Sequence, residues 1–261
     1  MESKFIQYKN KNIHYTVAGK GKPVVLLHGI PVNSTVWIEL TTSLQNNFFV
    51  IAPDLPGSGK SEMLDGNVSI EDYADVIKEI LDSENISECT IIGHSMGGYV
   101  TLAFAENYPE LLNGFGLFHS SAFADDEEKK QTRRKAIEFI KADGAYAFLK
   151  TSTPNLFTGK EHLKEMEDII EEGKKFSAEA LIQYYYAMIN RPDRTEVLKI
   201  FKNPVLFIIG EKDNVIPLQA SLQQCYLPAI AHVHILDTGH MGMIEESYKS
   251  IALIKSFLEN I

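Results

Sequence analysis

Cysteine is scarce: 261 residues hold two, Cys89 and Cys225, alongside a single tryptophan. Both cysteines sit in apolar stretches without a partner at metal-ligand or redox spacing, which excludes a disulfide framework, a zinc site and a Cys-x-x-Cys pair. Long apolar runs are missing too. None approaches the roughly 18 residues of a membrane span, and the charged opening Met1–Lys9 lacks the apolar stretch of a signal peptide. The expectation is a soluble, cytoplasmic protein without membrane association. Positive charge is the third deficit, since 25 Lys+Arg against 35 Asp+Glu leave a formal −10. A nucleic-acid partner calls for a basic face. The basic cluster Lys129–Lys135 follows directly on Asp125–Glu128 and reads as a helix laced with ion pairs, so nucleic acid is excluded.

What is present suits one large core. The apolar fraction is 44% and the charged fraction 23%, ordinary for a globular chain. Phe5–Tyr8 and Asn12–Val17 read as an opening hairpin. Pro23–His28, Phe48–Ala52, Thr90–Gly93, Phe115–Phe118 and Val205–Gly210 are apolar throughout, as strands buried on both faces are; His232–Leu236 is a weaker version. Helical patterns alternate with them at Thr35–Leu44, Ile70–Leu81, Met96–Asn107, Leu218–Tyr226 and Ser247–Leu258. The fold class is α/β, a parallel sheet covered on both sides. Between about Ser121 and Lys202 the alternation stops, and helical patterns appear at Glu127–Lys141, Glu161–Glu172 and Ala178–Asn190. That stretch holds every arginine (Arg133, Arg134, Arg191, Arg194) and is electrically neutral. An insertion between two parallel strands lies over the strand C-terminal ends, where open α/β sheets bind ligands. Residues 121–203 are therefore expected to form a helical cap on a core built from 1–120 and 204–261.

The chemistry concentrates in Gly93-His94-Ser95-Met96-Gly97-Gly98, which ends an apolar strand and opens a helix. This is the setting of a Gly-x-Ser-x-Gly nucleophile elbow, where a sharp turn projects the serine hydroxyl from the sheet edge. A serine nucleophile requires a base and the base an orienting acid. Of eight histidines, His240 lies in the loop between the last strand and the closing helix. His232 and His234 are inside that strand, His14 is in the hairpin and His162 in the insertion. His119 ends the strand before the insertion, where it can line a pocket. Asp213, just past the strand Val205–Gly210, is the expected acid, with Glu211 as its rival. Ser95, Asp213 and His240 all follow strand C-terminal ends. An oxyanion needs backbone donors; the Met96 N–H is one, and because Pro31 cannot donate, Ile30 in His28-Gly29-Ile30-Pro31 supplies the other.

These residues carry a resemblance. His28-Gly-Ile-Pro31, Asp54-Leu-Pro-Gly57-Ser-Gly59-Lys-Ser61, the Ser95 elbow, Gly210-Glu-Lys-Asp213 and Gly239-His240 stand in the order found in the α/β-hydrolase superfamily, in its capped single-domain form. The resemblance implies a mostly parallel eight-stranded sheet flanked by helices, with a helical cap after the sixth strand and no metal or organic cofactor. Gly57-Ser58-Gly59-Lys60-Ser61 ends like a phosphate-binding loop, but Asp54 stands where such a loop needs glycine, so it reads as a structural turn. A serine nucleophile favours acyl transfer. The expected activity is hydrolysis of a small or medium, largely apolar carboxylic ester through an acyl-enzyme, a carboxylesterase-like serine hydrolase acting on a small-molecule substrate. Carbon–carbon, lactone or amide hydrolysis on the same triad is the alternative, and a slow-turnover small-molecule receptor is the alternative of another class. Trp37, His119 and Met241 are expected at the pocket, with cap arginines in solvated ion pairs.

Overall fold

A computed structural model describes residues 1–159 and 161–261. In chain order the core opens with β1 (Glu2–Tyr8), β2 (Lys11–Gly19), β3 (Lys22–Leu27), α1 (Ile38–Leu44), β4 (Phe48–Pro53), α2 (Ile70–Ser83), β5 (Cys89–His94), α3 (Met96–Asn107) and β6 (Leu112–Phe118). After β6 come α4 (Glu127–Ser152), α5 (Leu163–Glu172), α6 (Ala178–Asn190) and α7 (Thr195–Ile200). The core resumes with β7 (Val205–Gly210), α8 (Leu218–Cys225), β8 (Ala231–Leu236), α9 (Gly242–Glu245) and α10 (Ser247–Glu259). The eight strands form one sheet in the order β1-β2-β4-β3-β5-β6-β7-β8. The pairs β1–β2 and β2–β4 are antiparallel and all others parallel.

The parallel strands are uniformly apolar because alternate side chains enter two different cores. Val25 and Leu27 of β3 join Ile51, Tyr73, Ile77, Ile91, Val100 and Phe104 on the α2–α3 side. Val24 and Leu26 join Trp37, Leu40, Phe118, Ile208, Ile254 and Phe257 on the α1–α10 side. The start of α2 shows how local sequence fixes an element. The Ser69 side chain accepts from the Asp72 amide while Asp72 returns a bond to the Ser69 amide, a capping box worth about 1 kcal/mol. Ile70, Tyr73, Ile77, Ile80 and Leu81 then bury one face.

The insertion is more helical than its sequence pattern indicates. The first expected helix stops at Lys141, whereas α4 continues to Ser152. Gly144 takes φ 86° in its middle, a conformation open to glycine. Beyond that kink Ala145 and Leu149 bury a second, separate face, so the run is two short amphipathic pieces with no shared stripe. The short α7 was not expected at all; its six residues give too little periodicity.

The insertion arginines are paired, as expected, but three of the four are not solvated. Arg191 is 6% exposed and Arg194 3%. Asp125 bridges two of them, with Oδ2 2.5 Å from Arg133 Nε and Oδ1 2.9 Å from Arg191 Nη2. Arg191 also stacks 3.9 Å from the Tyr99 ring centroid, fastening the insertion to α3. Burial opposes the Asp125 charge, yet the two guanidiniums outweigh it and hold the carboxyl below the usual range. Asp125→Ala strands both cations, and breaking such a buried pair costs about 3–5 kcal/mol. Urea unfolding of the variant is expected to show an unfolding free energy lowered by that amount, read as a lower midpoint without a change of slope.

Candidate active site

The turn between β5 and α3 holds Ser95 at φ 51° and ψ −116°, a strained conformation for a residue bearing a Cβ. Three bonds over-determine it. The Ser95 amide donates to Phe118 O (2.9 Å), the Gly98 amide donates to Ser95 O (2.9 Å), and Ser120 Oγ donates to the same oxygen (2.7 Å). Close approach does the rest. A Cβ on Gly97 would stand 2.5 Å from Leu27 O and 2.7 Å from His28 O, so α3 could not sit against the end of β3. A Cβ on Gly29 would lie 2.8 Å from Ser95 Cβ, which places the Gly29–Ile30 backbone directly beside the hydroxyl.

The structure brings Ser95, His240 and Asp213 together. His240 Nε2 is 2.8 Å from Ser95 Oγ, and His240 Nδ1 is 2.8 Å from Asp213 Oδ2. An ionised carboxylate only accepts, so the ring carries its proton on Nδ1 and leaves Nε2 to accept from the hydroxyl. Asp213 Oδ1 accepts from the amides of Val215 (2.7 Å) and Ile216 (3.0 Å), which locks the carboxylate plane. Burial works against this charge, but the hydrogen-bonded His240 ring, with the facing His119, outweighs it and holds the Asp213 carboxyl far below the usual range. The rival Glu211 is exposed. Asp237 is exposed as well and pairs with Lys212 at 2.5 Å.

Two backbone amides, those of Met96 and Ile30, flank Ser95. Met96 is the first residue of α3, where amides have no intrahelical acceptor. Among the described residues neither the Met96 nor the Ile30 N–H is taken by a protein acceptor. His28 turns away from the site: its Nδ1–H donates to Gly29 O (2.7 Å) and its Nε2 accepts from the Leu55 amide (2.9 Å).

Sequence reasoning missed three contributors. His94, inside the elbow motif, is 0% exposed and donates from Nε2 to the His240 carbonyl (2.8 Å), holding the loop that presents the imidazole. Glu245 braces the same loop from behind, accepting from the amides of Gly239 (3.0 Å) and Met241 (3.3 Å) through one oxygen and from Thr158 through the other. Leu156 of the insertion accepts from the His240 amide (2.7 Å). The one local cue was the position of Glu245 in the first turn of a helix, where a carboxylate reaches backward to free amides.

Trp37, His119 and Met241, expected at a pocket wall, are all sealed, with exposures of 1%, 2% and 0%. Trp37 packs 6.1 Å from Phe118 in the α1–α10 core, and Met241 belongs to the same core. His119 faces the acid instead. Its Nδ1 stands 3.4 Å from Asp213 Oδ2, poorly aligned, and neither ring nitrogen has a hydrogen-bond partner. A cavity of about 490 Å³ lies elsewhere, between the Met63–Val68 loop and α6. Ser95 itself keeps 7% exposure. Among the described residues no three His, Cys, Asp or Glu side chains gather as a metal site, and no helix is long and apolar enough to cross a membrane.

A family model for the alpha/beta hydrolase fold matches residues 22–194. The chain belongs to the α/β-hydrolase fold family. A thermophilic esterase from Thermogutta terrifontis superposes on this α/β hydrolase with a TM-score of 0.92 at 26% identity, covering 100% of this chain and 99% of that one. The enol-lactonase of Burkholderia xenovorans shares the fold, with a TM-score of 0.91 at 21% identity over 98% of this chain and 100% of its own. A 2-hydroxy-6-oxononadienedioate/2-hydroxy-6-oxononatrienedioate hydrolase from Escherichia coli is 26% identical over 278 residues, spanning 96% of this chain and 92% of that protein.

The buried imidazoles give this hydrolase a defined acid sensitivity. Burial depresses the basicity of His28, His94 and His119. Above about pH 6.5 they are neutral whether folded or unfolded; below it the unfolded chain binds protons the folded chain refuses. Their contribution is therefore complete well above about pH 6.5 and is lost as pH falls from there toward each ring's depressed folded-state value. Urea unfolding at pH 7.5, 6.5 and 5.5 is expected to show this decline, and His119→Phe to flatten it by one ring's share.

Proposed function

We propose that this α/β hydrolase is a serine hydrolase cleaving a small or medium, largely apolar carboxylic ester through an acyl-enzyme. The observation that carries the reading is the hydrogen-bonded order Ser95 Oγ, His240 Nε2, His240 Nδ1, Asp213 Oδ2, with 2.8 Å at each of its two links. His240 takes the Ser95 proton as Oγ bonds to the ester carbonyl carbon, and Asp213 orients the ring and stabilises the imidazolium. The Met96 and Ile30 amides hold the oxyanion. His240 protonates the departing alkoxide and then draws a proton from water, which attacks the acyl-enzyme and frees the acid. No cofactor takes part.

Residues 121–203 act as a cap. With Ser95 almost covered, substrate entry requires this segment to shift. The Leu156–His240 and Thr158–Glu245 bonds couple that shift to the His240 loop. The named relatives supply the main competing reading, since the Escherichia coli protein acts on dienedioates and their trienedioate counterparts. A dianionic substrate calls for free cations. Here Arg133 and Arg191 are committed to Asp125, and Arg194 to Glu71 and Glu106, which supports an uncharged ester.

Stopped-flow hydrolysis of p-nitrophenyl acetate and longer acyl esters, with intact mass during turnover, tests the proposal. The expected result is a burst and steady release through a serine-bound acyl group. A single stoichiometric burst that stalls with the adduct retained would turn the reading toward a small-molecule receptor, and no burst with any ester would turn it toward carbon–carbon or amide cleavage. Ser95→Ala and His240→Ala are each expected to lower kcat by about 10⁶, and Asp213→Asn by about 10⁴. Glu211→Gln is expected to leave kcat unchanged.

A further inference from the structure

A second hydroxyl–imidazole–carboxylate row crosses the opposite edge of the sheet. On β2, Tyr15 reaches toward α2, with its hydroxyl donating to Glu84 (2.6 Å). His14, one residue earlier, faces the other side of the sheet. There His14 Nδ1 lies 2.8 Å from Asp54 Oδ2, and Ser3 Oγ of β1 lies 2.7 Å from His14 Nε2. These separations match those of the Ser95 site.

The protonation pattern also matches. Asp54 is 2% exposed, accepting from the Ser34 amide (2.9 Å) at Oδ1 and from the Lys60 amide (2.9 Å) at Oδ2. Burial opposes its charge, but hydrogen bonds from Ser34 and Lys60 outweigh it and keep the carboxyl below the usual range. A charged acceptor fixes the His14 proton on Nδ1 and leaves Nε2 to accept from Ser3. His14 is 3% exposed, whereas Ser3 is exposed to solvent. The row therefore runs from a buried carboxylate through a buried imidazole to an accessible hydroxyl. The edge strand β1 pairs with β2 alone, so alternate amides of β1 face outward.

We propose that Ser3 is a second activated nucleophile, a site of covalent modification by activated acyl and phosphonyl donors such as aryl esters and fluorophosphonates. With an aryl ester, Ser3 Oγ bonds to the acyl carbon while its proton passes to His14 Nε2. The bond from that carbon to the aryl oxygen breaks, the phenolate departs, and the imidazolium returns the proton to solvent. Ser3 ends as an ester. The site lacks the helix N-terminus that serves Ser95 and stands at an open edge, so it accepts donors regardless of acyl length. The inference does not rest on the role proposed for Ser95.

The test uses Ser95→Ala, which removes the first nucleophile, treated with a fluorophosphonate and read by intact mass and peptide mapping. One adduct per chain is expected on the peptide carrying Ser3, formed about 10²-fold faster than at an exposed serine without a base, such as Ser256. It is expected to vanish in S95A/S3A. Labelling of Ser3 no faster than Ser256, or labelling that persists unchanged in S95A/H14Q, overturns the proposal. Because His14 also anchors the Asp54 turn, a second variant keeps the relay whole. In S95A/S3C, with both native cysteines buried, iodoacetamide is expected to alkylate the introduced thiol about tenfold faster than a free thiol at pH 7. Alkylation at the free-thiol rate also overturns it.

Discussion

The left-handed backbone at Ser95 is the constraint on which the remaining structure turns. A serine held at φ 51° relaxes unless its neighbours forbid it, and here β3, β6 and α3 all do. The Ser95 amide is bound to the end of β6, its carbonyl receives α3 and Ser120, and the backbone of β3 lies against Gly97. Strain of this kind is of order 1–3 kcal/mol, small against the apolar surface that β5 and α3 bury. The sheet therefore imposes the turn, and the turn projects a hydroxyl between the His240 loop and the Gly29–Ile30 backbone.

The second constraint is a charge in a dry place. Asp213 is 6% exposed, where an unpaired carboxylate would take up a proton instead. Two amides and two imidazoles keep it ionised, and that ionisation sets the His240 tautomer. Around it His94 and His119 are kept neutral by burial, so they add dipoles without competing as bases. Asp125 and Asp54 repeat this arrangement at the insertion and at the β2–β4 edge, each a buried carboxylate satisfied by specific donors. In all three cases the aspartate organises a loop that no apolar contact would fix.

Much of this was legible in the residues. The apolar runs of β3, β5 and β7 and the capped, amphipathic α2 are local patterns, and their boundaries agree with the structure to within a residue or two. The turn at Asp54–Ser61 read as structural, and its Lys60 amide indeed binds Asp54. The second half of α4 was not legible, because Gly144 splits its periodicity. The burial of Arg191 and Arg194 was not either, since a sequence cannot distinguish a solvated ion pair from one enclosed between layers. Trp37 illustrates the same gap: it was expected at the pocket, whereas tertiary packing turns it into the α1–α10 core.

Short-range order, by itself, determined the alternation of strand and helix and the strand–turn–helix over Gly93–Gly98 that carries Ser95. Each depends on residues within one turn or one strand of each other. Only the tertiary structure decided which carboxylate meets His240, since Glu211 and Asp213 are two residues apart and differ in the direction the loop turns them. It likewise decided that His94 would hold a carbonyl 146 positions away and that Ser3, His14 and Asp54 would align across β1, β2 and the turn after β4. Such contacts follow from sheet register and layer packing, which sum many weak burial terms over the whole chain and leave no mark in any one segment.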